Sequence, residues 1–217
     1  MNVVVTGSSA GMGREIAMKF LLNGYTVYGL DIQPSSIESE SYHHYICDVS
    51  DKESLPDIEN VNILINNAGV QHTDRDIEVN LKGVINCTNK YGLQPDISAI
   101  LNQASNSASN GSEFPEYVAS KGGVKAYTIW TAKEIAKYGA ICNSLSFGGV
   151  ITPINSPVMD DSTAWDKIMM LTPLRKWATE KEAAEWAYFL CTVNRSCTGQ
   201  DIIVDNGEFY SHQFVWQ

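Results

Sequence analysis

The chain has 217 residues, 44% apolar and 18% charged, with a formal net charge of −10. That size and mixture suit one filled core and exclude collagen-like, disordered and membrane-spanning classes. The negative field repels polyanions, which argues against nucleic acid and anionic membrane surfaces as partners.

The five cysteines, Cys47, Cys87, Cys142, Cys191 and Cys197, are odd in number and contain no C-x-x-C pair. Neither a disulfide framework nor a thiolate zinc site is expected, and free thiols are. The opening apolar run, Val3 to Val5, is too short for a signal-peptide core or a membrane span, so the expected location is cytoplasmic.

In chain order, a strand over residues 2–6 runs into Thr6-Gly7-Ser8-Ser9-Ala10-Gly11-Met12-Gly13, and a helix follows over 12–22. Glycines at this junction permit a tight turn and close approach of backbone to a pyrophosphate, and the free amides of the helix start favour negative charge. The spacing of Gly7, Gly11 and Gly13 departs from G-x-G-x-x-G, so the position after the first strand carries the reading. A second strand, 25–30, delivers Asp31 to its end, where a carboxylate accepts hydrogen bonds from ribose hydroxyls. It would also repel a 2′-phosphate, and no Arg or Lys compensates at Ser9, Ala10, Ile32 or Gln33, so NAD(H) is favoured over NADP(H). A third strand, 45–49, ends in Asp48-Val49. Asp48 can meet an adenine amino group with Val49 against the ring, or cap the short helix after Ser50.

Strands at 62–66, 99–104, 140–146 and 201–204 alternate with helices at 77–91, 117–138 and 180–192. The fold class is therefore α/β: a Rossmann-type, doubly wound parallel sheet of about seven strands, order 3-2-1-4-5-6-7, with helices on both faces. A single domain over 1–217 is expected, with a substrate-covering excursion at 152–172 that holds one short helix. Tyr117 and Lys121 lie four apart on the 117–138 helix, so they share a face. An ammonium fixed beside a phenol stabilises phenolate and brings the tyrosine toward acid/base duty. Gly122 and Gly123 follow inside the helix at roughly 1 kcal/mol each relative to alanine, which suggests a close approach by backbone or ligand.

The joint pattern resembles the short-chain dehydrogenase/reductase family across essentially the whole chain. It comprises Thr6-Gly7-x-x-x-Gly11-x-Gly13, Asn66-Asn67-Ala68-Gly69, Val79-Asn80, Tyr117-x-x-x-Lys121, Gly148 to Pro153, Thr198-Gly199-Gln200 and Val204-Asp205-Asn206-Gly207. The resemblance implies hydride transfer between a nicotinamide and a small-molecule carbonyl or secondary alcohol, 3-oxoacyl carrier-protein reduction being one such activity. It implies Tyr117 as acid/base, Lys121 as the group that lowers its pKa and binds the nicotinamide ribose, and Asn80 as holder of a relay water. Ser105 would orient the substrate oxygen, with Ser107 the poorer candidate. The implied cofactor contacts are Gly7, Ser9, Gly11, Met12, Gly13, Asp31, Ile32, Asp48, Val49, Asn67, Ala68, Gly69, Tyr117, Lys121, Val150 and Thr152.

The chain departs from the family pattern at several places. Ser105 stands twelve residues before Tyr117 where thirteen is usual, Phe147 replaces a proline, and the 48–66 and 69–80 connections are short. Two peripheral helices must then be truncated or absent. The family also implies a homodimer or homotetramer packed through helices near 77–91 and 117–138. A dinucleotide-binding sensor or scaffold, and an epimerase or dehydratase on the same fold, are the alternatives; a sensor usually lacks the Tyr or the Lys, and both are present. His43, His44, His72 and His212 have no metal-ligand spacing, and no metal is expected. Met169-Met170 reads as packing surface more than a cofactor box, with a role in a deformable apolar lid left open, and the aromatic tail from Phe209 suggests burial in a subunit interface or against the lid.

Overall fold

A computed structural model describes residues 1–112 and 114–208. The aromatic tail and His212 therefore lie outside the described residues. Strands β1 (Asn2–Thr6), β2 (Thr26–Asp31), β3 (Tyr42–Ile46), β4 (Val61–Asn66), β5 (Ala99–Gln103) and β6 (Ile141–Phe147) form one sheet with β9 (Asp201–Val204). Two short strands, β7 (Val150–Ile151) and β8 (Ala178–Thr179), pair apart from it. The sheet order is β3-β2-β1-β4-β5-β6-β9 with every pairing parallel. The chain first builds outward from β1 through β2 to β3, then crosses back to β4. That reversal opens a crevice at the carboxyl ends of β1 and β4.

Helices cover both faces, which is why β1 can bury Val3, Val4 and Val5 completely. On one face α1 (Gly11–Leu22) sets Ile16, Ala17 and Phe20 against the small Ala183, Ala184 and Ala187 of α7 (Glu180–Tyr188). The other face is built by α2 (Gly83–Cys87), flanked by π-helical turns Glu78–Lys82 and Thr88–Gly92, and by α4 (Pro115–Ile135). Tyr91, Cys87, Leu64 and Ile135 fill that second core. Each fully buried side chain of this size contributes roughly 1.5–3 kcal/mol.

Several elements differ from the sequence expectation. The third strand is Tyr42–Ile46, three residues earlier than 45–49, and residues 47–49 lie past its end. As an edge strand it has one partner, β2, so register against β2 and not its own apolar run decides where it lies. The 152–172 excursion holds more helix than one short piece: a 3₁₀ turn Pro153–Asn155, α5 (Ser156–Met159) and the ten-residue α6 (Ser162–Leu171). Asp161 caps α6, and no residue of that helix is buried. Met170 is 72% exposed, so it is not packed against the body of the molecule.

The two short connections behave as expected. Between Asp48 and β4 there is only the 3₁₀ turn Lys52–Ser54, and after Gly69 helical structure resumes only at Asp76.

Candidate active site

The phosphate-binding end is set by the turn from β1 into α1. Gly7 has φ +67°, a left-handed conformation that a side chain would strain. A Cβ on Gly13 would stand 2.0 Å from the Gly7 carbonyl oxygen and 2.5 Å from Asn67 Nδ2, so the helix enters as close to the strand as backbone allows. Thr6 Oγ1 accepts from the amides of Asn67 and Ala68, each at 2.9 Å, which locks the β4 loop onto the β1 loop. Helix α1 has no side-chain cap and no acidic residue in its first turn, leaving amide donors and dipole suited to a pyrophosphate. Met12 is half-buried against the core behind this turn.

At the end of β2, Asp31 accepts from Ser9 N and Gln33 N, both at 2.9 Å. Its carboxylate is thereby fixed beside the glycine turn, and Ile32 is 64% exposed next to it.

The carboxylate of Asp48 does not cap the short turn. It accepts from Ser50 N and Ser50 Oγ and pairs with Arg75 Nη2 at 2.7 Å, whereas Asp51 caps the short turn. Burial opposes ionisation of Asp48, but the bonds from Arg75 and Ser50 outweigh it and hold its pKa below the usual carboxylate range. Val49 is buried, packed under Gly83 of α2. Arg75 was not anticipated: it reaches Asp48 from the shortened 70–77 connection.

At the catalytic end, Pro115 opens α4, so Tyr117 sits in its first turn and Lys121 one turn on. Lys121 Nζ is 5.8 Å from the centre of the Tyr117 ring and donates to Gln103 O at 2.8 Å. Only 3% of Lys121 is exposed. Burial pulls its pKa down to about 8, partly opposed by the negative charge of Asp76. Asp76, 1% exposed, accepts from His72 N, Thr73 N and Thr73 Oγ1. It was missed in the sequence, although it stands four residues before Asn80 in helical register.

Asn80 is completely buried in the first π-helical turn. Its Oδ1 accepts from Val70 N at 2.8 Å, and its Nδ2 donates to Val70 O and to Ser120 Oγ at 3.0 Å. Ser120 Oγ in turn donates to Tyr117 O at 2.7 Å, so Asn80 is tied to the tyrosine's own backbone. A Cβ on Gly69 would lie 3.1 Å from Asn80 Oδ1 and 3.5 Å from Lys121 Nζ. The structure thus brings Gly69, Asn80 and Lys121 together.

Gly123 lies against the Leu81 side chain and not a neighbouring backbone, and a Cβ on Gly122 would meet nothing within 4 Å outside its own helix.

Ser105 and Ser107 are both buried beyond the end of β5, with Ser107 opening α3 (Ser107–Asn110). Val150 and Thr152 are buried as well. Trp177 packs flat over Gly149, where a Cβ would fall 1.9 Å from its ring, and Trp165 of the excursion meets Trp177 edge-on at 5.0 Å. Beside the start of α4 a cavity of about 270 Å³ is lined by His72, Thr73, Asp76, Phe114, Pro115 and Glu116. The His72 ring stacks on Phe114 at 3.8 Å. Asn66 links β4 to β5 through Asn102, at 2.8 Å. All five cysteines are free.

A parallel sheet that reverses at β1, a glycine turn feeding an uncapped helix and a carboxylate at the end of β2 define a Rossmann-type dinucleotide-binding protein. Residues 7–208 match a family model described as enoyl-(acyl carrier protein) reductase. The 3-oxoacyl-[acyl-carrier-protein] reductase of Staphylococcus epidermidis is 28% identical, covering 96% of this chain and 98% of the relative. The 2-dehydro-3-deoxy-L-rhamnonate dehydrogenase (NAD(+)) of a Sphingomonas species is 27% identical over 90% of this chain and 89% of its own. A solved Agrobacterium tumefaciens protein described as a candidate 2-deoxy-D-gluconate 3-dehydrogenase, with bound NADP, shares the fold at a TM-score of 0.86. It is 24% identical, with 96% of each chain covered. The chain belongs to the short-chain dehydrogenase/reductase family, whose dehydrogenases and reductases act on carbonyl and alcohol groups.

Proposed function

We propose that this chain is an NAD(H)-dependent oxidoreductase that interconverts a small carbonyl compound and a secondary alcohol, with Tyr117 as acid/base. The observation that carries the reading is the phenol of Tyr117 one helical turn from an ammonium buried to 3% exposure. When bound, the dinucleotide supplies or accepts the hydride. Gly7, Ser9, Gly11, Met12 and Gly13 hold its pyrophosphate end, Asp31 and Ile32 its adenosine ribose, and Asp48 and Val49 its adenine. Asn67, Ala68 and Gly69 run along it, while Val150 and Thr152 orient the carboxamide.

Lys121 lowers the pKa of Tyr117 and holds the nicotinamide ribose. Tyr117 Oη then gives a proton to the carbonyl oxygen, or takes one from the alcohol, and Ser105 fixes that oxygen. Asn80 keeps the helix turn and its relay water in register with Lys121. One domain serves the whole reaction, with residues 152–172 covering the substrate. The reading is tested by following the absorbance of the reduced nicotinamide across a panel of ketones, 3-oxo esters and polyols. No turnover of any of them would contradict it.

The cofactor preference rests on Asp31, fixed by two backbone donors where a 2′-phosphate would sit. NADH should bind at least about tenfold tighter than NADPH, since like charges a few Å apart cost more than about 1.4 kcal/mol in a half-buried site. Asp31→Ala should narrow the ratio. Equal dissociation constants in a fluorescence titration of the wild type would overturn the preference.

We assign the cytoplasm as the location from the five unpaired cysteines. Two copies are proposed to meet through α4, where Ile129 and Trp130 are 49% and 44% exposed and Gly122 leaves open room for a partner's side chain. A sedimentation mass of one chain would remove that assignment.

A further inference from the structure

We propose that Ser107 is a positioning residue that forces the hydroxyl of Ser105 to act as a donor toward the substrate oxygen. The inference rests on the oxidoreductase reading above and sharpens one part of it. Ser105 Oγ accepts from Ser107 Oγ at 2.8 Å and from Ser107 N at 3.2 Å. A serine hydroxyl has two acceptor lone pairs and one proton, so these two bonds leave only its O–H to be used.

Both side chains are sequestered from bulk water, Ser105 at 8% and Ser107 at 3% exposure. Water therefore competes little for that proton, and hydrogen bonding in series polarises it.

The local turn does not require the second donor. A serine whose oxygen accepts the amide two residues on already makes the turn that starts a helix. Here that turn is further closed by Ala108 N to Ser105 O at 3.2 Å and by Gly111 N to Ser107 O at 2.8 Å. Gly111, at φ +70°, ends the helix after a single turn and so keeps Ser107 where it is. The Ser107 hydroxyl is thus additional to the architecture, and the partner it hydrogen-bonds among the described residues is the oxygen that faces the chemistry. The same geometry divides the two serines: Ser105 touches the substrate oxygen, and Ser107 acts through Ser105.

The test is a double-mutant cycle on kcat, run with whichever member of the carbonyl panel turns over fastest. Loss of one neutral hydrogen bond should lower kcat of Ser107→Ala by between about threefold and about tenfold. KM for the cofactor and the NADH dissociation constant should stay unchanged. In a Ser105→Ala background the same substitution should cost nothing further, because the atom it positions is gone. Ser107→Thr, which keeps the hydroxyl, should recover most of the lost rate.

Wild-type turnover in Ser107→Ala would overturn the proposal. So would an undiminished further loss in the Ser105→Ala background, which is the signature of a merely structural role. These results differ from failure of the oxidoreductase reading, in which the wild-type protein reduces no member of the panel.

Discussion

Tyr117→Phe should lower kcat by about two to four orders of magnitude while leaving the NADH dissociation constant unchanged, the range expected for loss of a positioned acid/base. The substitution removes one oxygen and keeps the ring that lies against Lys121 Nζ. Helix α4 depends on Pro115 at its start and on its buried face, Ser120, Val124, Thr128, Thr131 and Ile135, none of which is touched. Thermal stability should therefore hold, and an activity loss accompanied by unfolding would point to a structural phenol instead. A mutant that turns over within about threefold of wild type would end the assignment of Tyr117, because background rates without the acid/base are slower by far more.

Lys121→Met carries the second large effect, with activity and stability moving in different directions. Activity should fall by about two orders of magnitude or more, since the charge that stabilises phenolate is gone. Stability follows from the depressed pKa. Lys121 titrates at about 8 in the folded chain and near 10.4 when unfolded. Between those values the unfolded chain binds more protons, so the lysine makes stability rise with pH from about 8 to about 10.4.

Below pH 8 the buried charge costs the fold roughly 3 kcal/mol, the energy equivalent of that shift. Removing it also strips the Gln103 carbonyl of a donor, a loss of about 1–3 kcal/mol. At neutral pH the two nearly offset, so the melting temperature of Lys121→Met should equal or exceed that of wild type. The rise in stability between pH 8 and 10 should vanish in the mutant. A marked drop in melting temperature, with the pH dependence intact, would show that the ammonium is not the source of the cost.

Much of this arrangement is legible in the sequence, because the decisive signals are local. β1 and β4 are continuous apolar or β-branched runs buried between helices on both faces, so their positions follow from composition alone. The glycine turn is read from contiguous residues. Tyr117 and Lys121 are read from a helical interval of four. β3 was misplaced because an edge strand with exposed His43, Tyr45 and Ile46 has no apolar signature of its own, and only its register with β2 locates it.

Asp76, Arg75 and Ser120 were invisible for a different reason. Each acts across elements: Asp76 on Lys121, Arg75 on Asp48, and Ser120 between Asn80 and the Tyr117 carbonyl. Their partners are distant in sequence or set by the conformation of a shortened loop. Trp177 over Gly149 is of the same kind, a contact made only once β7 and β8 pair. The relation of Ser105 to Ser107 lay between these cases. The resemblance implied two candidates, Ser105 before Ser107, and only the hydrogen bonds separate the donor from the acceptor.

The most direct test of the central claim follows the hydride itself. NADH deuterated at the transferable C4 position is incubated with the fastest carbonyl of the panel, and the alcohol product is weighed by mass spectrometry. The wild type should yield product carrying deuterium on the carbinol carbon, and Tyr117→Phe almost none in the same time. Product without the label, or labelled equally by the mutant, would contradict the account.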